Sequence, residues 1–100
     1  MRVDLSAPAE NDLFEIGLFI ASDNLERALA FMDELETACL KLAEHPKRFP
    51  VIRLRSGFEI RRCVHRDYLI LYRIDSERIV VLRIVNGAMD YETLLDRDEE

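Results

Sequence analysis

The period of apolar positions along this chain changes once, near residue 46. Met1, Val3 and Leu5 alternate with polar residues, the pattern of a short strand. Leu13, Ile16, Gly17 and Ile20 then follow the i, i+3, i+4, i+7 spacing of one buried helix face and predict a helix over about residues 8–22. Ser6 suits its N-cap, Pro8 its first turn, and Glu10, Asp12 and Glu15 its positive end. Ser22, Asp23 and Asn24 break the pattern and offer a cap for a second helix. Ala28, Phe31, Met32, Leu35, Cys39, Leu42 and Ala43 carry that helix over about residues 25–44. It stops at His45-Pro46, because a residue before proline avoids the helical region. The short break between the helices predicts an antiparallel hairpin.

Beyond residue 46 the period is two. Strands are predicted over 51–55, 58–64, 68–74 and 79–85, with turns at Ser56-Gly57, His65–Asp67 and Asp75–Arg78. The runs 68–74 and 79–85 are nearly continuous in apolar residues, as central strands are. Connections this short leave no room for a parallel crossover, so these strands pair antiparallel. Asn86-Gly87 punctuates the end, and Tyr91–Leu95 predicts a terminal helical turn before an acidic tail. The order is β-αα-ββββ in one domain over residues 1–100: an α+β fold with a helical hairpin packed on one face of a twisted antiparallel sheet.

Composition narrows the class. With 100 residues, 49% hydrophobic and 34% charged, the chain has the make-up of one compact domain rather than a disordered segment. Two cysteines are too few for a disulfide framework or a structural zinc site, and Cys39 and Cys63 read as small apolar side chains. No apolar run reaches the length of a membrane span and the start carries no signal-like apolar stretch, so a cytoplasmic, reduced location is expected. No metal or cofactor is expected.

The net charge of −6 conceals a partition. Residues 1–46 carry a net −7, residues 47–83 a net +6 from ten basic and four acidic groups, and residues 84–100 a net −5. Arg53 and Arg55 fall on one face of their strand, Arg61 and Arg62 on opposite faces, and Arg73 and Arg83 on the two central strands. They either line a solvated face paired with the acidic helices and tail, or form a patch for an anionic partner. The second reading is favoured here, because one sheet face is expected to lack helical cover. Aromatic residues suited to base stacking are sparse, limited to Phe49, Phe58, Tyr68 and Tyr72, which favours a protein partner over nucleic acid. On the helices, Phe14, Leu18, Phe19 and Leu29 exceed one buried stripe. They are either core overflow or the lining of a groove for a partner helix.

The order of elements, with Leu5-Ser6-x-x-Ala9-x-x-Asp12-Leu13-x-x-Ile16, Leu42-Ala43-x-x-Pro46, the run Tyr68–Ile74 and the ending Arg83-Ile-Val-Asn-Gly-Ala-Met-Asp90, resembles the RelE/ParE superfamily of bacterial type II toxin–antitoxin modules. The ending resembles the ParE branch, with Asn86 where a histidine is frequent. ParE-like members are described as poisons of DNA gyrase that act by binding. RelE-like members cut messenger RNA on the ribosome. The resemblance implies a ParD-like antitoxin as partner and operator DNA met only through that antitoxin. Target contacts are expected from Arg61, Arg62, Arg73 and Arg83, whose cations suit an acidic or phosphate-bearing surface, and from Met89 and Asp90 at its rim. The antitoxin would cover Phe14, Leu18, Phe19 and Leu29.

RNA cleavage needs an acid, a base and cations at the developing charge. His45 reads as a helix-end residue, His65 as a turn residue, and Tyr68 and Tyr72 as packing on one strand face. Tyr91, beyond the last strand, keeps a ribonuclease alternative open together with Arg61 and Arg83. Residues 51–62 contain no lysine, and arginine is a poor proton carrier because its pKa stays above about 12. Binding without catalysis is the expectation.

Overall fold

The computed structural model describes residues 1–98. The elements run β1 (Arg2–Leu5), α1 (Ala7–Ala21), α2 (Leu25–Lys41), β2 (Val51–Arg53), β3 (Glu59–His65), β4 (Tyr68–Asp75), β5 (Arg78–Asn86) and α3 (Tyr91–Asp98). The α+β hairpin-on-sheet architecture matches the expectation. The terminal turn is a helix of eight residues, and part of the expected acidic tail lies outside the described residues. Ser6 caps α1 by accepting from the Ala9 N–H at 3.1 Å, with Pro8 in the first turn. Asn24 caps α2 by accepting from the Arg27 N–H at 3.0 Å. α2 stops three residues earlier than its apolar spacing suggests, and Leu42–Glu44 continue as turns. Gly17 lets the helices approach: a Cβ there would strike the Met32 Sδ.

The five strands lie in the order β1-β5-β4-β3-β2. Antiparallel hairpins join β2 through β5, and β1 adds to β5 in parallel. A parallel edge is open to β1 because the rest of the domain intervenes between the two strands. The two-residue turns place Arg66 and Ser76 at φ 56° and 58°, and Arg66 is held there by Glu34 (Nε–Oε1 2.6 Å). β2 ends at Arg53 rather than residue 55, because Leu54 turns inward and exchanges hydrogen bonds with Phe58 and Gly57. Arg55 therefore leaves the strand, and the expectation that it shares a strand face with Arg53 is corrected.

Apolar residues collect on both sheet faces. Under the hairpin lie Ala9, Ile16, Leu35, Cys39 and Leu42 against Cys63, Ile70, Tyr72, Ile79, Val81 and Ile84. On the reverse face Leu54, Ile60, Leu69, Leu71 and Val85 close around Leu95, with Tyr91 and Leu94 beside it. The expectation of a sheet face without helical cover is thus overturned: α3 lies over part of it, because alternate residues of these strands are apolar too.

Candidate functional site

A β-bulge organises the centre of the molecule. Leu71 pairs with Arg83 and Tyr72 with Val81, so Leu82 is the extra residue. The bulge frees backbone groups, and the start of α1 takes them up. Ser6 donates its N–H to Val81 O at 2.9 Å and its hydroxyl to Leu82 O at 2.8 Å. Asp12 Oδ2 accepts from the Ile84 N–H at 2.9 Å. The same carboxylate holds the Arg83 guanidinium in a two-pronged pair, 2.7 Å to Nε and 2.8 Å to Nη2. Both side chains are largely buried there. Arg83, expected at a target surface, is committed to joining α1 to β5.

Arg61 and Tyr72 pair across β3 and β4 beneath the loop that follows α2. Arg61 Nη1 donates to Lys47 O at 3.0 Å and to Phe49 O at 2.6 Å. The Tyr72 hydroxyl, fully buried, donates to Pro46 O at 2.7 Å. Burial pushes its pKa up, partly opposed by the Arg61 charge. Arg61 and Arg73 also line one cleft of about 310 Å³ with Lys47 and Glu59, and Arg73 faces Asp75 at 3.8 Å.

Arg62, Met89 and Asp90 belong to the reverse side. Arg62 pairs with Leu71 on the face that α3 partly covers. Asp90 caps α3, accepting from the Thr93 hydroxyl at 2.9 Å and its N–H at 3.4 Å. Those bonds hold its carboxyl below the usual range, with a smaller contribution from the charge of Arg55. Arg55, which the sequence pattern had assigned to a strand, therefore acts on the start of α3 through its charge. The six residues expected to act together occupy three places: the bulge, the α2–β2 loop cleft and the α3 rim.

The apolar helix residues are outward. Phe14, Leu18, Phe19 and Leu29 are each at least half exposed. Phe14 and Leu18 lie one helical turn apart on α1, as do Leu25 and Leu29 on α2. Leu25, also exposed, was missed because its place beside the Asn24 cap reads as a helix start. Phe19 sits about 100° round the helix from Leu18 and falls off that ridge.

Tyr68, His65 and Tyr91, three of the proton-carrying candidates, are engaged elsewhere. Tyr68 packs on Phe31, ring centroids 5.7 Å apart. His65 Nε2 meets Glu34 Oε1 at 2.8 Å, and Tyr91 lies against the reverse core. Cys39 is buried, and its thiol is pushed up to about 12 by desolvation.

Among the described residues no helix is long and apolar enough to cross a membrane. No curated protein sequence matches the chain significantly. A solved structure described as the chromosomal ParDE TA system from P. aeruginosa superposes with a TM-score of 0.71 at 18% identity, covering 86% of this chain and 95% of that one. The sequence model of the ParE toxin of the type II toxin–antitoxin system parDE matches residues 3–91. With nearly the whole domain matched and the hairpin-on-sheet fold in place, the chain belongs to the ParE toxin family of type II toxin–antitoxin systems.

Proposed function

We propose that this chain acts in the bacterial cytoplasm as a toxin that inhibits DNA gyrase by binding it, and that a ParD-like antitoxin neutralises it. Binding is favoured over catalysis by the state of the candidate acid–base groups. Tyr72 is buried on a backbone carbonyl, Tyr68 packs on Phe31 and His65 meets Glu34, while the Arg83 cation is held by Asp12. Cleavage requires such groups to converge on one phosphate. The antitoxin's place in this reading is the outer surface of the hairpin, where the exposed pairs Phe14 and Leu18 on α1 and Leu25 and Leu29 on α2 offer apolar anchors to an amphipathic helix. Phe19 flanks it. Target contact falls to Arg62 and Met89 at the α3 rim and to Arg61 and Arg73 at the loop cleft, with Asp90 and Arg83 holding those surfaces in shape. Operator DNA enters only through the antitoxin.

The test is a gyrase supercoiling assay with purified toxin. Inhibition at micromolar toxin, relieved by an equimolar amount of antitoxin, is the expected result, and full supercoiling at that concentration removes the reading. New messenger RNA ends on translating ribosomes that disappear in Tyr91→Phe would instead establish the ribonuclease alternative.

A further inference from the structure

Three clefts adjoin at the end of α2. One is lined by Lys41, His45, Arg48, Phe49 and Cys63 among others. The second shares Glu44, His45 and Arg48 with it and adds Lys47. The third, described above, shares Lys47 and continues to Arg61 and Arg73. The shared residues make one cationic band from the last turn of α2 to the end of β4. Three carboxylates border it: Glu44, then Glu59, which is taken by Arg53 at 2.6 Å, and Asp75, which faces Arg73 at 3.8 Å. Among the described residues no carboxylate stands within ion-pair distance of Lys41, Lys47 or Arg48.

The loop is also built to present these charges. Its carbonyls at Pro46, Lys47 and Phe49 point inward to the Tyr72 hydroxyl and Arg61, so these acceptors are withdrawn from an approaching anion. The Lys47 and Arg48 side chains remain exposed, and the Arg48 guanidinium lies 5.8 Å from the Phe49 ring centroid, a cation–π contact that limits its freedom. Lys41 alone has a sufficient local explanation, as a cation at a helix C-terminus. Residues 41–49, which carry Lys41, Lys47 and Arg48, expose no large apolar side chain, and exposed Val51 lines only the third cleft, so this stretch lacks the anchors on which protein interfaces depend.

We propose that this band binds the phosphodiester backbone of DNA without reading its sequence. The inference goes beyond the reading above, in which DNA is met only through other proteins, and does not depend on gyrase. An elongated band suits a polymer of phosphates better than one anion, and Lys47, Arg48 and Lys41 supply the backbone contacts.

The experiment is a fluorescence anisotropy titration of a labelled duplex of arbitrary sequence with the purified full-length toxin, repeated over a salt series. Three phosphate contacts predict a log–log salt slope of roughly −2.7, and Lys47→Ala with Arg48→Ala reduces it to roughly −0.9. Each single variant removes about 0.9 from the slope, which keeps the test available should the double variant fold poorly. Glu44→Gln tightens binding, whereas Arg27→Ala, an equal charge loss at the other end of α2, leaves the slope unchanged. A slope that survives the double variant, or an Arg27→Ala effect as large as the loop variants', overturns the proposal. So does displacement of the duplex by inorganic phosphate at constant ionic strength, which identifies a single-anion site.

Discussion

The two faces of the sheet are built from the same strands and differ in what covers them. Under the helical hairpin the apolar side chains of β3, β4 and β5 meet two long capped helices, and the core closes around Tyr72 and Leu35. On the reverse face an eight-residue helix meets a smaller set around Leu71 and Leu95. A short helix contributes little stability of its own and depends on the side chains it buries. The hairpin face is therefore expected to be the more stable, and the α3 face the one that opens first.

Matched truncations test that difference most strongly. Leu35→Ala is expected to cost about 4 kcal/mol and Leu95→Ala about 2 kcal/mol, since the cavity beside a short helix can collapse or open to water. Urea denaturation measures both, and equal losses would show that α3 is as tightly integrated as the hairpin. Next comes the joint between hairpin and sheet. Asp12→Ala removes the carboxylate that both Arg83 and the Ile84 N–H donate to and is expected to cost about 3 kcal/mol. A loss below about 1 kcal/mol in the same denaturation series would mean that water replaces the carboxylate.

The outer surface of the hairpin behaves differently. Leu18→Ala with Leu29→Ala is expected to change stability by less than about 1 kcal/mol, because both side chains are already exposed. It is expected to weaken antitoxin binding roughly 30-fold, about 2 kcal/mol, measured by calorimetry. Unchanged affinity would move the antitoxin elsewhere. The smallest effect lies where α2 meets the β3–β4 turn. The bond from Arg66, and after it that from His65, hold the Glu34 carboxyl below its ordinary range. A depressed folded pKa gives stability that is present above the unfolded value and fades as pH falls through the folded one. Glu34→Gln should therefore lower the melting temperature slightly at neutral pH, with the difference from the parent closing as pH falls below about 4.5.

The helices were legible because each has a cap and an apolar stripe: Ser6 and Asn24 stand where the spacing of Leu13, Ile16 and Ile20, and of Ala28 to Leu42, requires them. The hairpins were legible from the period-two runs and their short turns. The fate of the arginines was not. Arg61, Arg62, Arg73 and Arg83 look alike as cations on strands, yet Arg83 is drawn to Asp12, 71 positions away, by a bulge that no local pattern announces. Arg61 is occupied by carbonyls of a loop 12 and 14 positions earlier. The covered reverse face was missed for a similar reason, since Tyr91–Leu95 is too short for its packing partner to be inferred.

By itself, then, the sequence determined the elements, their order, the antiparallel pairing of β2 to β5 and the division of charge, because each of these follows from neighbours in the chain. The tertiary structure alone decided that β1 runs parallel to β5, which cations are internal and which form an open band, and that the reverse sheet face is partly covered by α3. Those outcomes depend on contacts between distant residues, where burial and hydrogen bonding select one use for a side chain that local chemistry leaves with several.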